Sequence, residues 1–133
     1  MFGSAGRASM SQGTVLVVDD DASVRKALRR LLRAAGYEVE VFADAASYLA
    51  HREPSPPACV VLDIRMPGTS GFDLQRAISG TGHGLPVVFI TGHGGEDVRA
   101  QAFEAGAVDV LFKPIDEQAL VAAIEKALAS RRL

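Results

Sequence analysis

Four polar stretches of this chain carry residue types that can do chemistry together: Asp19-Asp20-Asp21, Asp63, Thr91 and Lys113-Pro114. Each follows directly on an apolar run. Carboxylates gathered in one place repel one another. Two unit charges about 5 Å apart at an effective dielectric of about 20 cost roughly 3 kcal/mol, and three acids make three such pairs. A cluster of this kind calls for a cation. Lys113 supplies one positive charge and a divalent ion would supply two more. Few carboxylates, abundant water and an expected phosphate oxygen favour Mg²⁺ over a fully protein-caged Ca²⁺. No zinc set competes, because Cys59 is the lone cysteine and His51, His83 and His93 are scattered. An aspartate beside a metal can also attack phosphorus to form an acyl phosphate. Asp63 is the best placed for that: it ends the apolar run Cys59-Val-Val-Leu62 and precedes the turn-rich Pro67-Gly-Thr-Ser-Gly71, so its carboxylate is expected to face outward. In phosphoryl transfer a protein mostly positions groups and neutralises oxygens, which suits a metal, a lysine and a threonine hydroxyl around one aspartate.

Five alternating units must position these groups. The expected strands are Val15 to Val18, Glu38 to Phe42, Cys59 to Leu62, Val87 to Ile90 and Val108 to Phe112. Four are nearly continuous in apolar residues, as strands buried on both faces are. Glu38-Val-Glu-Val-Phe alternates and reads as an edge. The first helix starts near Ala22, carries Val24, Ala27, Leu28, Leu31, Leu32 and Ala35 on one face, and stops at Gly36. Shorter helices are expected at about Ala45 to His51, Gly71 to Ser79 and Glu96 to Ala105. A last one follows Ile115-Asp116, where the aspartate can cap. Strand and helix in alternation predict an α/β (βα)5 sandwich with a parallel sheet. In such sheets ligands bind at the carboxyl ends of the strands, the edge to which the four polar stretches are delivered.

Composition narrows the function classes. With 133 residues, 48% hydrophobic and 23% charged, the chain fits one globular domain. A formal charge of −2 argues against a nucleic-acid binder relying on overall charge. No apolar run approaches the roughly 18 residues that cross a bilayer. Residues 1–13, rich in Gly, Ser and Ala, read as a flexible leader, an expression scar with the natural start at Met10, and residues 14–133 as the domain.

The motifs Val-Asp-Asp at 18 to 20, Leu-Asp-Ile-Arg-Met-Pro-Gly at 62 to 68, Ile-Thr-Gly at 90 to 92 and Phe-Lys-Pro at 112 to 114 resemble the receiver domain of bacterial two-component response regulators, the chemotaxis-regulator type included. The similarity runs from about Thr14 to Leu133, with all four motifs in order, and together they are specific. It implies a flavodoxin-like sheet of order 2-1-3-4-5, an order taken from the resemblance. It also implies roles. Asp63 would accept a phosphoryl group from a histidine kinase or phosphotransfer protein, or from a small acyl phosphate. Asp20 would bind Mg²⁺ directly and Asp19 through water, with Asp63 and the main-chain carbonyl of Arg65 completing the protein ligands. Thr91 and Lys113 would engage the phosphoryl oxygens, the Lys113–Pro114 peptide being cis, and Gly92 would leave its N–H open to a phosphate oxygen. Arg65 and His93 occupy positions that tune acyl-phosphate lifetime in the family. The chain would be a signalling phosphoacceptor that catalyses only phosphorylation and dephosphorylation of its own aspartate. It would be cytoplasmic, acting on an output domain or downstream protein through its helix 4, strand 5 and helix 5 face. A phosphorylation-dependent homodimer is one assembly this allows; direct nucleic-acid contact through this domain is not expected. The chain departs from the family at Val110, where many members carry Tyr or Phe.

Simpler readings stand beside these. Asp21 reads as a helix cap, Cys59 as core packing, and the stripe Arg25, Lys26, Arg29, Arg30 and Arg33 as a solvated face, or in the family's terms a kinase-docking one. The rival function is a haloacid-dehalogenase-type phosphatase with an aspartyl nucleophile, but its motif wants an Asp where Arg65 stands. A nucleotide-binding module lacks its glycine-rich motif.

Overall fold

Successive residues of a strand point to opposite faces of a sheet, and in this chain both faces are apolar. Leu16 and Val18, Val60 and Leu62, and Val87 and Phe89 enter one core; Val15 and Val17, Cys59 and Val61, and Val88 and Ile90 enter the other. A computed structural model describes residues 12–51, 58–66, 68, 70–80, 85–92 and 95–131. The elements are β1 (Thr14–Val18), α1 (Ala22–Ala34), β2 (Glu38–Phe42), α2 (Ala45–Ala50), β3 (Ala58–Asp63), α3 (Gly71–Gly80), β4 (Val87–Thr91), α4 (Glu96–Glu104), β5 (Asp109–Phe112) and α5 (Glu117–Arg131). The five strands are parallel in the order β2-β1-β3-β4-β5, as the resemblance implied. Tyr48 of α2, Leu74 of α3 and Ala102 of α4 cover the first face. Leu28 and Leu32 of α1 and Leu120, Ile124 and Leu128 of α5 cover the second. Each such fully buried aliphatic side chain contributes about 1.5–3 kcal/mol relative to exposure.

Local chemistry sets the element ends. Asp21 caps α1 by accepting from the amides of Ser23 at 2.8 Å and Val24 at 3.4 Å. The helix closes where Gly36 takes φ +101°, a conformation costly for any residue with a side chain. Asp116 Oδ2 accepts from the Ala119 amide at 2.9 Å and starts α5. β2 is an edge strand with Glu38 and Glu40 exposed, matching its alternation. Several boundaries shift by one residue from the sequence reading. β1 begins at Thr14, β3 runs from Ala58 through Asp63, and β4 extends through Thr91. β5 begins at Asp109, although the Val108 amide donates to the carbonyl of Val87 at 2.8 Å. α2, α3 and α4 end at Ala50, Gly80 and Glu104. Of the expected leader, residues 1–11 lie outside the described residues. Gln12 and Gly13 are tied in: Gln12 Nε2 donates to Ala35 O at 2.7 Å, and Gly13 O accepts from the Glu38 amide at 3.0 Å.

Candidate functional site

The strand order makes β1 and β3 neighbours, with Val18 opposite Leu62, so the residues that follow, Asp19 and Asp63, stand side by side at the carboxyl end of the sheet. β4 and β5 end one step further along, with Thr91 opposite Phe112 and the Lys113 amide donating to Thr91 O at 2.8 Å. One carboxylate oxygen each from Asp19, Asp20 and Asp63 lies within 4.8 Å of the others. Lys113 Nζ sits 3.0 Å from Asp19 Oδ2 and 3.5 Å from Asp63 Oδ2. Asp19 is 0% exposed, Thr91 1% and Asp63 4%, whereas Asp20 is open to solvent. The Asp63 carboxylate is therefore at the expected edge of the sheet but recessed, a correction to the outward orientation read from the sequence. Its Oδ1 accepts from the Arg65 amide at 3.1 Å. The Lys113–Pro114 peptide is cis.

Electrostatics follow from this crowding. Burial, with the neighbouring Asp19 charge behind it, pushes the Asp63 carboxyl up to about 6; the Arg65 amide and the Lys113 ammonium pull the other way. Burial works against the Lys113 ammonium, but the carboxylates, Asp19 foremost, outweigh it and hold its pKa above the ordinary value. Hard oxygen donors that repel one another, with one side open to water through Asp20, fit a divalent cation that keeps part of its hydration shell. Asp21 stays outside the cluster as the cap of α1, and its bonds to Ser23 hold its pKa below the ordinary range. Cys59 is fully buried, and burial pushes its thiol up to about 12, as a packing residue requires. His83 and His93 fall outside the described residues.

Two residues matter to this geometry in ways the sequence did not signal. Gly71 donates its amide to Ile64 O at 2.7 Å, and a Cβ there would lie 2.5 Å from Asp63 O and 2.8 Å from Ile64 Cα. The backbone carrying the Asp63 carboxylate thus packs directly on the start of α3. Only the glycine-rich turn hinted at it. Arg25, read as one of five surface cations, turns back so that Nη1 donates to the main-chain oxygen of Asp19 at 2.8 Å.

A parallel sheet with acids, a threonine and a lysine at one end defines a class, and the sequence matches the family described as "Response regulator receiver domain" over residues 15–125. The chain belongs to that family. It is 38% identical over 128 residues to the response regulator protein TmoT of Ectopseudomonas mendocina, covering 95% of this chain and 58% of that protein. Among solved structures it is similar to the response regulator StyR, with TM-score 0.80 and 52% identity over 90% of this chain and 62% of that one. It is also similar to FixJ-N, with TM-score 0.81 and 36% identity over 90% and 96%. The chain spans about half the length of the curated relatives it matches. The comparisons give the phosphatase reading no support. No helix among the described residues is long and apolar enough to cross a membrane.

Proposed function

We propose that Asp63 is the phosphoacceptor of a two-component signalling protein, with residues 14–133 as its receiver unit. The observation that carries this is the convergence of Asp19, Asp20 and Asp63 within 4.8 Å, with the Lys113 ammonium against two of them. Mg²⁺ is the cation these residues suit: Asp19, Asp20, Asp63 and the carbonyl of Arg65 would hold it, and it would neutralise phosphoryl oxygens as charge develops. An oxygen of Asp63 bonds to phosphorus while the P–N bond to a histidine of the donor kinase breaks and the imidazole leaves. Above about pH 6 the Asp63 anion predominates, so the nucleophile needs no base. Lys113 pairs with the phosphoryl oxygens, and the Thr91 hydroxyl, at the end of β4, donates to them. Hydrolysis of the acyl phosphate returns Asp63, so the chain acts on its own side chain alone.

The partners follow from the same reading. A histidine kinase or phosphotransfer protein would dock over α1, where Val24, Leu31 and Ile115 line a groove of about 190 Å³ that reaches Lys113 and where the same helix exposes Lys26, Arg29 and Arg30 further around its surface. The added phosphate brings roughly −1.5 to −2 charge and would draw Thr91 and Lys113 inward. An output domain or downstream protein would read the change on the α4, β5 and α5 face, where Phe103 is 39% and Phe112 37% exposed and Arg99 stacks over the Phe103 ring. The same face offers an apolar contact for a phosphorylation-dependent homodimer. Val110 is buried where many receivers carry an aromatic ring, so the response would run through the loop after β4 and through α4. A cytoplasmic location belongs with this function.

The test is incubation with acetyl phosphate and Mg²⁺ followed by intact mass. One added phosphoryl group is expected, absent with EDTA and absent in Asp63→Ala. Labelling of Asp63→Ala, or steady release of phosphate from unrelated esters, would refute the assignment.

A further inference from the structure

Each polar atom of Asp19 faces a partner from outside the acidic cluster, three of them through hydrogen bonds and Oδ2 through its ion pair with Lys113. Its amide donates to Phe42 O at 3.1 Å, its Oδ1 accepts from the Asp21 amide at 2.9 Å, and its Oδ2 meets Lys113 Nζ at 3.0 Å. Its main-chain oxygen accepts from Arg25 Nη1 at 2.8 Å. That oxygen belongs to the planar peptide joining Asp19 to Asp20, so the orientation of the peptide sets the direction in which the chain enters Asp20. Asp20 is exposed, and that peptide carries the backbone on which its carboxylate is mounted. Arg25 differs from its neighbours in the stripe: it is half-buried, while Lys26, Arg29, Arg30 and Arg33 are exposed.

We propose that Arg25 is a positioning residue for the divalent-cation site, fixing through the Asp19 carbonyl the backbone on which Asp19 and Asp20 present their carboxylates. The inference rests on the cation reading given above. Groups that orient metal ligands without touching the metal commonly change affinity by tenfold or more when removed. Charge alone predicts the opposite sign. A guanidinium near the site repels a divalent cation, so its deletion would tighten binding if Arg25 acted only through its field.

Mn²⁺ titration of the full chain, followed by electron paramagnetic resonance, separates the two. Arg25→Met is expected to bind Mn²⁺ about tenfold more weakly than the parent chain. Arg25→Lys, which keeps a donor and a charge, is expected to recover most of that loss. Urea unfolding in EDTA identifies the conditions in which each variant is folded during titration. Equal or tighter Mn²⁺ binding by Arg25→Met, or an Arg25→Lys that binds no better than Arg25→Met, overturns the positioning role while the cation site stands. A parent chain that binds no Mn²⁺ overturns the cation reading and the positioning role together.

Discussion

Neutralising Asp63 without changing its shape should stabilise the metal-free protein, and the size of the gain should depend on pH. Asp63→Asn replaces a carboxylate that is 4% exposed and beside the buried Asp19 with an amide of nearly the same volume. In the folded chain the Asp63 pKa is raised from 3.8 to about 6, so the folded state keeps the proton to higher pH than the unfolded state. The stability contributed by the protonated form is fully present below about pH 3.8 and is lost as the pH rises through about 6. That interval, converted at about 1.4 kcal/mol per pH unit, corresponds to about 3 kcal/mol. Urea unfolding in EDTA at several pH values measures it. Relative to the parent chain, Asp63→Asn should gain about 3 kcal/mol between pH 4 and pH 7 and nothing further above pH 7. Excess Mg²⁺ at pH 8 should restore stability to the parent by mass action and do less for the variant, which offers the ion one carboxylate fewer. A stability difference that stays flat across this pH range, or a variant that loses ground as the pH rises, would refute the account of Asp63 as a buried, charge-crowded group.

Two further substitutions probe the supports of the site. Gly71→Ala should cost about 1–3 kcal/mol by overpacking, since its methyl would meet the Asp63 and Ile64 backbone at 2.5 and 2.8 Å. It should also slow labelling by acetyl phosphate, so parental stability and rate together would show that this contact does not set the Asp63 backbone. Asp21→Ala should cost about 1 kcal/mol through loss of the α1 cap and leave Mg²⁺-dependent labelling intact. Loss of labelling in a folded Asp21→Ala would instead put that carboxylate among the metal ligands.

Apolar periodicity made the layered architecture legible, because strands buried on both faces write themselves as unbroken runs such as Cys59-Val-Val-Leu62. Strand-end placement then led to Asp19, Asp63, Thr91 and Lys113. Strand order came from the resemblance, since adjacency of β1 and β3 leaves no periodic trace in either strand. The recess around Asp63 was not legible either: exposure at a strand end depends on what closes over it, here Lys113 arriving from β5. Arg25 shows the same limit from another side. Its spacing along α1 matches the solvated stripe, and only the three-dimensional path of the loop before α1 brings the Asp19 carbonyl within its reach. Gly71 looked like turn chemistry because close backbone approach and tight turning use the same residue.

The sheet has two unlike margins. Along β2, Glu38 and Glu40 line the outer strand, and a second copy laid against it in mirrored fashion would bring carboxylates face to face. Along β5 the margin ends in the exposed ring of Phe112. Strand-to-strand aggregation is thereby discouraged on one flank by charge, and self-association is biased toward the flank where greasy surface is on offer.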